Sequence, residues 1–171
     1  MRFDKFTTKF QQAFADAQSL AVGKDNPYIE PQHLMLALLD QEGGGTASIL
    51  AKAGVNLQPL REALRAGVER LPKVEGHGGE VNVSRELSNL LNIMDKEAQK
   101  RGDQFIPSEL FLLALLEDKG ETGRLFKQHG ANRQHLERAI ESVRGGEAVT
   151  SAEAEGQREA LAKYTLDLTE R

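Results

Sequence analysis

Hydrophobic and polar positions along this chain recur with helical spacing through most of its length. Phe6, Phe10, Phe14, Ala17 and Ala21 share one face, and Val83, Leu87, Leu91, Met94 and Ala98 keep the same schedule. Two stretches, Leu34–Leu39 and Leu110–Leu116, are apolar all round, the mark of a helix in the middle of a core. Short helices are predicted over 46–53 and 121–129, each closed by a glycine (Gly54, Gly130) suited to a left-handed C-cap. Asn56 and Asn132 then stand where caps of a fourth helix are needed, and Ser84 caps the helix over 84–101. Almost no segment alternates with period two, so the fold class is all-α.

These elements are two copies of one unit. Tyr28-Ile29-Glu30-Pro31-Gln32-His33-Leu34-Met35-Leu36-Ala37-Leu38-Leu39 aligns with Phe105-Ile106-Pro107-Ser108-Glu109-Leu110-Phe111-Leu112-Leu113-Ala114-Leu115-Leu116 at an offset of 77, with five of twelve pairs identical. At the same offset Phe6 meets Val83, Phe10 meets Leu87 and Ala21 meets Ala98. Downstream, Gly54-Val55-Asn56 meets Gly130-Ala131-Asn132 at an offset of 76. A four-helix unit of about 70 residues is marginal alone. The expectation is one domain, residues 1–146, of two pseudo-two-fold-related four-helix repeats (1–72 and 83–146) sharing a core, with a connector over 73–82.

Charge sharpens this division. The chain of 171 residues has 26 acidic and 22 basic side chains. Residues 1–72 carry eight of each sign and residues 83–146 carry ten of each, so the excess negative charge lies in the connector and the tail. The Gly-rich connector is expected to be exposed and mobile. Gly145-Gly146 opens a second break: 147–156 reads as a flexible, solvated linker, and 157–171 as a short C-terminal helix, marginal by itself. Without cysteine there is no disulfide scaffold and no thiol chemistry. The acidic balance argues against a nucleic-acid partner. The longest apolar run, seven residues, argues against a membrane span, and the start of the chain does not read as a signal peptide, which points to a cytoplasmic protein.

Motifs for catalysis are missing. There is no Gly-x-x-x-x-Gly-Lys-Ser/Thr loop and no Gly-x-Ser-x-Gly elbow. His129 and His135 lie six apart across a glycine turn without a third metal ligand; His77 sits in the connector. His33, at the start of an apolar helix, reads as a hydrogen-bonded structural histidine. Ile93 lies at the margin of its helix's apolar stripe and Leu110 at the start of the second apolar helix, where partial exposure of both edges a shallow apolar groove.

The repeat resembles the Clp N-terminal repeat domain, and most of all the amino-terminal domain of the ClpB-type disaggregase chaperones. Met1-Arg2-Phe3-Asp4-Lys5-Phe6-Thr7, Ala15-Asp16-Ala17-Gln18-Ser19-Leu20-Ala21, Ile29-Glu30-Pro31-Gln32-His33-Leu34 and Leu71-Pro72-Lys73-Val74-Glu75-Gly76 carry the likeness. Lys100-Arg101-Gly102-Asp103 and Val143-Arg144-Gly145-Gly146 add to it, and residues 160–170 look like the segment leading into a first ATPase module. The resemblance implies a non-enzymatic module that weakly captures unfolded or aggregated polypeptide for a hexameric ATPase ring, which works with an Hsp70-type chaperone system. ATP and Mg belong to ATPase modules this chain lacks; no cofactor or metal is expected here, and the isolated domain is expected to be monomeric. By resemblance the substrate-binding residues are a polar surface cluster, Thr7, Asp103 and Glu109, beside an apolar groove at Ile93 and Leu110. Glu97 stands where the family has an apolar residue. Gln32 replaces the glutamate of relatives that bind phosphorylated arginine, which argues against such a site. Alternative readings are an adaptor-docking platform of a Clp unfoldase and a natural stand-alone domain.

Overall fold

A computed structural model describes residues 3–76 and 79–160. After a 3₁₀ turn at Phe3–Lys5, the chain forms α1 (Thr8–Gly23), β1 (Tyr28–Ile29), α2 (Pro31–Asp40), α3 (Thr46–Lys52) and α4 (Leu57–Glu69). The second copy follows as β2 (Asn82–Val83), α5 (Arg85–Arg101), α6 (Glu109–Leu115), α7 (Glu121–Gln128) and α8 (Arg133–Arg144). The expected all-α pair of four-helix repeats is what the chain adopts. Equivalent devices start equivalent helices: the Thr7 hydroxyl accepts from Phe10 N–H, and the Ser84 hydroxyl accepts from Leu87 N–H. Asn132 caps α8 through its side chain. Asn56 precedes α4 without a side-chain cap, and its backbone N–H donates instead to His129 O across the repeats.

Strand pairing locks the copies together. β1 runs parallel to β2, with Ile29 opposite Val83, and Phe6 forms an isolated parallel bridge with Ile106. At the offset of 77 these are one interaction seen twice: the segment before the first helix of each repeat pairs with the segment before the second helix of the other. Thr7 N–H donates to Ile106 O at 3.0 Å and Ser84 N–H to Ile29 O at 3.1 Å. Helix packing crosses in the same way, α4 against α7 and α3 against α8. A single hydrophobic core results, with α6 buried throughout and α2 nearly so. An aromatic row joins its halves: Phe6 stacks on Phe10 with centroids 4.8 Å apart, and Phe10 lies 6.4 Å from Phe111 of the other repeat. Phe14 turns to the margin and meets Phe3, and Ala13 takes the core position expected of it.

His33 is wholly buried and tethers repeat one. Its Nδ1 accepts Glu30 N–H at 2.8 Å, which leaves Nε2 to carry the proton and donate to Asn26 Oδ1, also at 2.8 Å. Asn26 passes the link to Pro72 O at the entry to the connector. The bond from Glu30 needs the neutral ring, and burial lowers the His33 pKa to about 4.

Residues 147–156 depart from the composition-based expectation of a solvated linker. Val149 and Glu155 are buried against the body, and residues 154–160 are helical. The Val149 carbonyl accepts from Gln104 N–H at 2.7 Å and the Ala152 carbonyl from Thr8 N–H at 2.9 Å, so specific backbone bonds hold the segment down. The rest of the expected C-terminal helix, 161–171, lies outside the described residues, as does His77.

Two predictions follow from this geometry. Because the folded His33 pKa lies below the ordinary 6.5, the unfolded chain binds the extra proton first. Stability is therefore lost as pH falls from about 6.5 through about 4, by on the order of 3 kcal/mol at the acid end. Burial raises the Glu30 carboxyl, which gives the opposite slope. Urea unfolding of wild type against His33→Asn between pH 4 and 7 isolates the imidazole; parallel curves contradict the assignment. The second concerns the crossing point of the repeats. Gly54 and Gly130 have φ of +83° and +105°, but a Cβ at Gly54 meets open space whereas one at Gly130 comes within 3.0 Å of Gly54 O. Gly54→Ala should cost about 1–2 kcal/mol, and Gly130→Ala clearly more in the same assay.

Candidate functional site

The three polar residues singled out by resemblance converge in one recess beside the crossed pairing. Asp103 follows the C-terminus of α5, Glu109 opens α6, and Thr7 caps α1. Between Asp103 and Glu109 lies Arg144, the last residue of α8. Its guanidinium grips Asp103 with both terminal nitrogens, at 2.8 and 2.7 Å, and gives its Nε–H to Glu109 Oε2 at 2.9 Å. The fork of a guanidinium suits two carboxylates at once. Burial works against the Arg144 charge, yet the hydrogen bonds and charges of Asp103 and Glu109 outweigh it and hold its pKa above the ordinary value.

The C-terminal segment closes the recess. Asp103 Oδ1 also accepts Val149 N–H at 2.9 Å. Arg158 makes a second bidentate pair with Glu109, at 2.8 and 3.1 Å. Glu155 Oε1 accepts Ser108 N–H at 2.7 Å and a short hydrogen bond from the Thr7 hydroxyl. Burial, and then the neighbouring Glu109 carboxylate, push the Glu155 carboxyl up. Thr7 is 0% and Glu109 1% exposed, so the expected surface cluster is corrected to a buried one; residues 149–158 cover it.

Comparing the repeats shows why the charges sit here. Asp103 and Glu109 match Asn26 and Gln32, and Arg144 matches Val68 at the downstream offset of 76. Where the guanidinium is absent, both carboxylates are amides of the same shape. This substitution is the sequence signal that could have identified Arg144 as the centre of the cluster. Glu155 and Arg158 carried no such signal, since the segment containing them has no counterpart in the first repeat.

The apolar candidates are placed differently. Leu110 is 0% exposed, which corrects the expectation of a partly exposed groove edge: it starts a helix every residue of which is buried. Ile93 is partly buried and packs against the core. Glu97, on the same helix as Ile93, is engaged by Arg101 at 3.2 Å and Arg133 at 3.3 Å, so an ion cluster stands where the resemblance leads one to expect an apolar side chain. Among the histidines, His33 is the hydrogen-bonded structural residue expected of it. His129 bonds Leu125 O through Nδ1, and His135 Nδ1 meets the Asn132 side chain. Among the described residues, no helix is long and apolar enough to cross a membrane.

Comparison with known proteins agrees with the fold and the repeat. The chain is 52% identical over its whole length to the chaperone protein ClpB of Vibrio cholerae and 37% identical over 98% of its length to ClpB of Bacillus cereus. It spans about a fifth of the length of these relatives, 20% in each. The crystal structure of the Hsp104 N-terminal domain from Candida albicans matches 88% of this chain and 98% of its own, with a TM-score of 0.76 and 21% identity. The N-terminal domain of the chaperone ClpD from Arabidopsis thaliana matches 82% of this chain and 98% of its own, with a TM-score of 0.59 at 21% identity. At that identity both show the shared fold. The model of the Clp repeat (R) N-terminal domain matches residues 5–129. With its helices, crossed repeats and sequence in agreement, this chain belongs to the Clp repeat N-terminal domain family.

Proposed function

We propose that this chain is the N-terminal substrate-binding domain of an ATP-dependent disaggregase chaperone. In this reading it holds unfolded or aggregated polypeptide weakly and hands it to a hexameric ATPase ring that works with an Hsp70-type system in the cytoplasm. The observation that carries the reading is the meeting of Asp103 and Glu109 around the Arg144 guanidinium, with Thr7, from the start of the chain, joined to them through Glu155. Such a recess favours basic segments of a client, and charge complementarity of this kind raises association rate more than affinity. Ile93 supplies an apolar margin; Leu110, buried beneath, contributes by fixing Glu109 on α6. Apolar contact gains about 25 cal/mol per Å², and association costs of several kcal/mol keep the net affinity low. Weak binding suits a site that must release its client. The division of the chain into a body over 1–146 and a segment leading to an ATPase module belongs to the same proposal.

Titration with reduced, carboxymethylated α-lactalbumin, followed by NMR, should move the amide signals of Thr7, Ile93, Asp103 and Glu109. Thr7→Ala should weaken that binding severalfold and cost about 1–3 kcal/mol of stability, from the lost cap and the lost bond to buried Glu155, while Thr7→Ser keeps both. Silence at all four positions overturns the reading.

A further inference from the structure

The recess around Thr7, Asp103 and Glu109 already has an occupant, residues 149–158 of the same chain. The fit is specific. Glu155 and Arg158 lie one helical turn apart and enter together, the carboxylate onto Ser108 N–H and the Thr7 hydroxyl, the guanidinium onto Glu109. Repeat one meets the matching need with its own residue: Glu30 hydrogen-bonds Ser84, the counterpart of Thr7, and its side chain accepts His33 N–H. The position matching Glu30 in repeat two is Pro107, which has no acceptor side chain. The tail therefore gives Thr7, from outside both repeats, the carboxylate that Glu30 gives Ser84 across them.

The same segment is lightly anchored. Gly145 and Gly146, at φ of +62° and +84°, form the joint between it and α8. Between residues 147 and 160 only Val149 and Glu155 are buried. Its remaining hold is hydrogen bonding, through the Val149 and Ala152 carbonyls and through charge-assisted bonds at Glu155 and Arg158, and Glu155 enters beside a like charge, Glu109. Once the segment leaves, the recess keeps Asp103 and Glu109 around one arginine, a net single negative charge, together with a free hydroxyl and a free N–H.

We propose that this recess is a docking site for a segment bearing a carboxylate and an arginine one helical turn apart, that residues 149–158 are its resident occupant, and that client polypeptide of this kind enters only when they leave. The client's role as the incoming segment rests on the substrate-binding reading; the docking itself does not.

A fluorescein-labelled peptide of residues 147–160 is the probe, with binding read by anisotropy on the full chain, on Val149→Asp and on Arg158→Ala. Both substitutions loosen the resident segment and leave the recess intact. The peptide should bind the two variants about ten-fold more tightly than the unaltered chain, because the occupied fraction of the recess no longer discounts its affinity. Amide exchange at Gln104 and Ser108, whose acceptors are Val149 O and Glu155, should quicken in parallel. Equal or absent binding across the three chains, or unchanged exchange, overturns the proposal. Should Val149→Asp fail to fold, Arg158→Ala decides, since its partly exposed side chain lies outside the core. Carboxymethylated α-lactalbumin is measured on the same chains and should gain affinity in the variants. Peptide binding without client binding in any chain upholds the docking and removes the substrate reading. Client binding with no discrimination by the peptide does the reverse.

Discussion

A guanidinium taken out of water at the end of α8 organises the second half of this molecule. Arg144 is buried, and a buried charge is tolerated only when its donors are met. Two carboxylates from two other places in the chain, Asp103 behind α5 and Glu109 at the head of α6, meet them. Satisfying Arg144 therefore fixes the loop between α5 and α6 and sets the floor on which residues 149–158 lie. Removing one member of such a set strands the others, at a cost of about 3–5 kcal/mol. Replacing all of them by neutral residues is a smaller change, and repeat one, with Asn26, Gln32 and Val68, is the natural example of that outcome.

Beneath this asymmetry lies a symmetric frame. Each repeat lends the other the short strand before its first helix, so neither repeat has a complete edge or a closed core without its partner. The crossed pairing brings Thr7 of the first repeat against Ile106 of the second, which is how a residue at the start of the chain comes to share a recess with residues a hundred positions later. A copied unit thus supplied a stable body, and divergence at three matched positions turned one of two equivalent corners into a charged one.

Most of the frame was legible in the sequence because helical periodicity, wholly apolar helices and glycine stops are local signals, and the repeat repeated them. Ser84 as a cap, and Gly54 and Gly130 as twin turns, follow from those signals. The crossed strands were not legible: two-residue strands carry no period, and their partners lie in the other repeat. The burial of Thr7, Asp103 and Glu109 was also out of reach, because it depends on a tail whose composition resembles a solvated linker. Val149, one apolar residue in a polar stretch, and Glu155 with Arg158 at helical spacing hold that tail through tertiary contacts that no window of sequence contains. Leu110 misled for a related reason: the start of an apolar helix is exposed only if nothing packs there.

The central claim is that the charges of this recess engage polypeptide, beyond holding the fold. The triple variant Asp103→Asn, Glu109→Gln, Arg144→Val gives repeat two the neutral set of repeat one and separates the two roles. Calorimetric titration with carboxymethylated α-lactalbumin, alongside urea unfolding, is the direct measurement. The account predicts a folded chain within about 2 kcal/mol of the original whose client binding falls by about ten-fold or more. Undiminished client binding by that folded triple variant contradicts it.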